Sequence, residues 1–236
     1  MLVERPDDAR GHAAADWLDS RHTFSFGSYY DPAWMGFGVL RVINEDRVAP
    51  GAGFPPHRHA NMEILSYVLG GALAHRDSSG GGGVIHPGEL QWMSAGHGVE
   101  HSEFNASPTE PVHFLQIWLQ PDRVNAAPAY AHLAAAAQPA PGQWRLLASP
   151  DGVDGSIAIR QDARLFESAL APATTAEFPL AAARRYWLHV ARGSIDANGR
   201  TLAAGDALGV VAETGPLRLT GLGGATAQVL LFDLPG

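Results

Sequence analysis

The sequence predicts an all-β protein, and three observations carry that expectation. Short apolar segments alternate with polar positions at a period of two, Gly and Pro are frequent at 27 and 17 of 236 residues, and long helical repeats are scarce. Many short strands joined by tight turns make a sandwich or a barrel. In chain order the strand-like segments are HTFSFG (22–27), GFGVLRVI (36–43), MEILSYVL (62–69), ALAHRD (72–77), ELQWM (89–93) and VHFLQIWLQ (112–120). Turn residues separate them, notably SSGGGG at 78–83 and HPGE at 86–89. The Ala/Pro stretch NAAPAYAHLAAAAQPAPGQ (125–143) reads as a connector with one short helical turn. It divides the chain into a domain of residues 1–134 and one of residues 135–236.

The second half repeats the order of the first. Val68, Gly71 and Leu73 precede Gly88-Glu89-Leu90, as Val190, Gly193 and Ile195 precede Gly205-Asp206-Ala207. This points to an internal duplication. In that register His57, His59 and Glu63 match Pro179, Ala181 and Arg185, and His101 and Glu103 match Arg218 and Thr220. Any metal site built on those residues belongs to the first half alone.

Charge and composition remove several classes of function. A formal charge of −8 argues against a sequence-independent grip on nucleic-acid phosphates, so no direct nucleic-acid contact is expected. The absence of cysteine removes disulfides, thiolate metal sites and thiol catalysis. No apolar run is long enough for a membrane span, and the polar start MLVERPDDARGHAAADW lacks a signal core, which favours the cytoplasm. Two halves able to cover each other favour a monomer.

Seven of the eleven histidines fall between 57 and 113. His57 and His59, and likewise His101 and Glu103, stand two apart in strand-like sequence, so each pair points to one face of its strand. The AGHG turn at 95–98 allows the second strand to return over the first, bringing three imidazoles and a carboxylate together. That donor set suits Fe(II), Mn(II), Co(II), Ni(II), Cu(II) or Zn(II) and disfavours Ca(II). Four protein ligands leave open positions for substrate or dioxygen. Parity does not choose the carboxylate, because Glu63 shares a strand face with His57 and His59 while Glu103 shares one with His101. Of the other histidines, His12, His22, His75, His86, His113, His132 and His189 read as ordinary surface or core residues. Phe24, Phe26, Phe54, Met62, Met93 and Phe104 offer an apolar lining for a flat aromatic molecule.

The spacing Gly51-x5-His57-x-His59-x3-Glu63-x6-Gly70 resembles the first cupin motif, and Gly98-x2-His101-x3-Asn105 the end of the second, with Gly96 where cupins generally carry Pro. QWMSAGHGVEHSE (91–103), RHTFSFGSYYDP (21–32) and the ending VLLFDLP are similar to the pirin subgroup. The resemblance implies a bicupin of two jelly-roll domains, the second without metal ligands. It implies ligation of one divalent metal, Fe(II) first, by His57, His59, His101 and Glu103, whereas other cupins use the residue at Glu63. It implies quercetin 2,3-dioxygenase chemistry, in which a flavonol ring is opened by dioxygen with release of carbon monoxide, and Glu103 or Glu63 is the general base. The alternative that the resemblance implies is a metal-dependent, redox-sensing regulator acting through a protein partner.

Overall fold

The computed structural model describes residues 1–135 and 140–236. Antiparallel strands make up nearly all of its regular structure, and among the described residues the helical elements are two single turns, Asp7–Ala9 and Val153–Gly155. No described helix is long and apolar enough to cross a membrane. The chain forms two compact units: Gly11–Ala135 with Ile157–Gln161, and Met1–Arg10 with Ala136–Ser156 and Asp162–Gly236. The all-β, two-domain expectation holds, with each unit a sandwich of open sheets rather than a closed barrel.

In the N-terminal unit the larger sheet runs in the order Ala129–Leu133, Leu90–Ser94, Glu63–Gly70, Val112–Leu119, Leu40–Val48, Leu18–His22, Gly11–Ala15. The smaller sheet runs Gly53–His59, Val99–Asn105, Leu73–Asp77, Gly82–Ile85. Two sequence expectations change. The strand expected at 22–27 lies at Leu18–His22, and the one expected at 36–43 lies at Leu40–Val48, because Asn44, Glu45, Asp46 and Arg47 continue the strand. Within the proposed connector, Ala129–Leu133 is a strand paired with Leu90–Ser94, while 136–139 lie outside the described residues.

Period-two alternation decides what faces the interior. One apolar cluster contains Val48, Val68, Val112 and Phe114, and a second contains Ile64 and Met93 with Trp118 packed on it. Between them a polar rung crosses four adjacent strands: Ser66 pairs with Gln116, Gln116 with Asn44, and Asn44 with His22. On the next rung Asp46 pairs with Ser20. The larger sheet therefore carries a polar stripe through an otherwise apolar inner face.

The C-terminal unit has the same local architecture with a different filling. Gly71 and Gly193 adopt φ of 76° and 72°, and a Cβ would lie 2.5 Å from Pro111 O and 2.8 Å from the Ala227 Cα, respectively. Gly88 N donates to Val68 O at 3.0 Å as Gly205 N does to Val190 O at 2.8 Å. With Val68 laid on Val190, the rung Ser66–Gln116–Asn44 corresponds to Leu188–Leu231–Phe166. Those three belong to or pack on one continuous apolar core.

Candidate metal centre

The strand Gly53–His59 pairs His57 with His101 but Phe54 with Glu103, so it carries one more residue than its partner across that interval. The bulge falls at Pro55-Pro56, residues that have no N–H to give to the ladder. It reverses the side-chain parity, and as a result Phe54, His57 and His59 all line the same cavity despite the odd spacing from 54 to 57. The strand ends at His59, Asn61 turns the chain at φ 52°, and Glu63 begins a strand of the larger sheet. Glu63 thus does not share a strand with His57 and His59, contrary to the parity expected from sequence.

Three imidazoles converge. One ligand-type nitrogen from each of His57, His59 and His101 lies within 4.8 Å of the others, and among the described residues no carboxylate joins this group. His57 Nδ1 donates to Pro55 O at 2.8 Å, which leaves its Nε2 with the free lone pair. That Nε2 is 3.0 Å from His101 Nε2. Two imidazole lone pairs at this separation need a proton or a cation between them. Burial, followed by the neighbouring His57, lowers the pKa of His59 to about 4 and of His101 to about 2. Both rings are therefore neutral at pH 7, the state in which imidazole binds metal.

Behind the triad stands a residue that sequence reading set aside. His75 Nε2 lies 3.1 Å from His101 Nδ1, and the His75 ring stacks on Tyr130 with centroids 5.4 Å apart and planes 8° from parallel. A histidine that ligates through Nε2 commonly donates its Nδ1–H to an acceptor that fixes the ring, and His75 occupies that position. The i, i+2 register of His75 with Asp77, facing Glu103 and His101 in the adjacent strand, is the signal that identifies it.

The two glutamates have different surroundings. Glu103 is buried and lines the cavity, where it accepts hydrogen bonds from Ser66 Oγ at 3.0 Å and from Gln116 Nε2 of the opposing sheet. Burial raises its pKa to about 7, helped by the nearby Asp46 charge and opposed by those hydrogen bonds. Glu63 is also buried, but its oxygens accept from Trp92 Nε1 at 2.8 Å, Ser94 Oγ at 2.5 Å and the backbone N–H of Arg160 at 3.1 Å. Asn105, the end of the second motif, donates to Val48 O at 3.0 Å and Glu110 O at 2.8 Å and ties down a loop.

The cavity holds about 240 Å³ between the sheets. The smaller sheet contributes Phe54, His57, His59 and Glu103, and the larger sheet Ser20, His22, Asn44, Asp46, Gln116 and Trp118. Of the apolar residues expected to line it, Phe26 and Phe54 do. Phe24 and Met93 are core, Met62 packs beside Ile64, and Phe104 is exposed. The sequence reading passed over the polar members of the larger sheet, although Asn44 and Asp46, two apart after the apolar run VLRVI, mark them.

Residues 4–119 match the family described as Pirin, and residues 146–234 the family described as Quercetinase C-terminal cupin domain. The chain is 43% identical over 235 residues to the quercetin 2,3-dioxygenase of Escherichia coli K12, covering 100% of this chain and 99% of that one. It is 39% identical to a pirin-like protein of Caulobacter vibrioides, covering 99% of each. The crystal structure of E. coli YhhW superimposes with a TM-score of 0.94 at 42% identity, covering 100% of this chain and 98% of that chain. A structure of bacterial pirin YhhW in complex with nickel(II) gives 0.92 at the same identity, covering 100% and 99%. Motifs, two-sandwich architecture and full-length similarity agree, and the chain belongs to the pirin family of two-domain cupins.

Proposed function

We propose that this protein is a metal-dependent dioxygenase that opens the ring of a flavonol such as quercetin and releases carbon monoxide. The observation that carries the reading is the convergence of three imidazoles on one wall of a cavity that also contains a buried glutamate. The 3.0 Å approach of two Nε2 atoms fits a cation, and the donor set of three imidazoles suits a divalent transition ion. Fe(II) is the first candidate by resemblance, and Ni(II) is supported by the nickel complex of the E. coli relative. His57, His59 and His101 would hold it, with Glu103 as fourth ligand. When bound, the metal supplies a Lewis acid for the flavonol 3-oxygen and a seat for dioxygen.

The chain's own residues do the rest. Glu103 would take the proton of the 3-hydroxyl, while Ser66 and Gln116 hold its carboxylate in place. Phe26, Phe54 and Trp118 provide apolar surface for an aromatic ring and keep water from it. Glu63, engaged by Trp92, Ser94 and Arg160, supports the strand that follows His59. The test is aerobic quercetin loss with carbon monoxide detection, using protein reconstituted separately with Fe(II), Ni(II), Mn(II) and Cu(II), beside His101→Ala. Metal-dependent turnover that falls at least ~100-fold in the variant is expected. A wild type that holds one ion per chain without turnover would reject the enzyme and favour a regulatory, partner-binding role.

A further inference from the structure

The polar rung on the larger sheet has no structural necessity. The C-terminal unit builds the corresponding rung from Leu188 and Leu231, within an apolar core, and Phe166, packed on it. Polar groups at such positions are costly unless something pairs with them. Asn44 and Asp46 are each 3% exposed and line the cavity. Asn44 Oδ1 has no hydrogen-bond partner, and Asp46 receives one from Ser20, whose hydroxyl is also 2.9 Å from His22 Nε2. The metal-binding imidazoles project into the same cavity from the opposing sheet. A ligand between the sheets therefore meets the imidazoles from one sheet and hydrogen-bond acceptors from the other.

From this we infer that Asn44 and Asp46, with Ser20 behind them, form a second recognition point that accepts hydrogen bonds from a ring hydroxyl other than the one the metal holds. This rests on the flavonol reading and deepens it: the preferred substrates are polyhydroxylated aromatics, selected through one ring. A cavity of about 240 Å³ lies below the ~300–1,000 Å³ of sites that enclose drug-sized ligands. It accommodates part of a three-ring flavonol, and selection acts on the enclosed part. A site built to pair with a hydroxyl discriminates against the analogue lacking it, because its own buried acceptors are then left unpaired.

The experiment compares quercetin with 3-hydroxyflavone, which keeps the metal-binding 3-hydroxyl and 4-oxo groups and lacks the other hydroxyls. Binding to Ni(II)-loaded protein is read without oxygen from tryptophan fluorescence, since Trp118 lines the cavity. The wild type is expected to bind quercetin roughly tenfold or more tightly than 3-hydroxyflavone. Asn44→Leu, which imitates the apolar rung of the other half, should bring the two affinities to within about threefold by weakening quercetin alone. If Asn44→Leu does not fold, Asp46→Asn serves for the same comparison, since its amide oxygen still accepts from Ser20. An unchanged ratio in the variant, no preference in the wild type, or no binding of either flavonol overturns the inference. Preferential binding without carbon monoxide release rejects the dioxygenase and retains the recognition point. Turnover of both flavonols with the same KM ratio in variant and wild type does the reverse.

Discussion

At the residue scale, the triad is set by which nitrogen each ring leaves free. Pro55 O fixes the tautomer of His57, and His75 is placed to do the same for His101. His75→Phe, which preserves a ring against Tyr130, should weaken metal affinity by roughly 10–100-fold, with His75→Gln recovering part of the loss. Competition with a chelator of known affinity reads this directly, and equal affinities in all three proteins would contradict the positioning role. His57, His59 and His101 were legible in the sequence because i, i+2 spacing is a property of single strands. His75 was not, since its role depends on which strand it lies beside. For Glu63 the sequence parity failed at Asn61, whose left-handed conformation ends one strand before the glutamate begins the next.

At the element scale, the features that shape the cavity are a bulge and a rung. The bulge at Pro55-Pro56 brings Phe54 into line with His57 and His59, and a proline pair in strand-like sequence is its only trace in the chain. Sequence segments located the strands to within a few residues where apolar alternation was unbroken, as at Glu63–Gly70 and Val112–Leu119. Leu40–Val48 was truncated because polar residues in its second half serve the cavity rather than the core. That polarity has a measurable cost. Burial raises the pKa of Asp46 from 3.8 to about 7, against the hydrogen bond from Ser20 and with help from the charges of Glu45 and Asp19. A carboxyl whose folded pKa is raised binds its proton more tightly in the folded state, so its stabilising contribution is full below pH 4 and is lost as pH rises through 7. Metal-free Asp46→Asn, without that titration, should gain about 3 kcal/mol on metal-free wild type between pH 5 and pH 8. Urea denaturation at the two pH values measures the difference, and a constant gap would refute the buried-carboxyl account.

At the scale of the whole molecule, one sandwich plan is used twice for two purposes. The glycines that reveal the duplication keep the same backbone conformation in both halves, whereas the side chains on equivalent rungs have diverged from Ser66, Gln116 and Asn44 to Leu188, Leu231 and Phe166. In the observed strand register the positions of His101 and Glu103 are taken in the second half by the core residues Leu217 and Leu219, one place from the Arg218 and Thr220 matched by sequence, and neither leucine can bind a metal. The placement of one site in the first half was readable from those losses alone. The cavity was not, because it is formed by two sheets whose facing is a tertiary fact. The most direct measurement is anomalous diffraction from crystals of the metal-loaded protein, collected at the absorption edge of the added ion. A single strong peak per chain, bonded to His57, His59 and His101 in the N-terminal half, is the expected result. A peak elsewhere, a second peak in the C-terminal half, or full occupancy in His101→Ala would contradict a metal centre built on these three imidazoles.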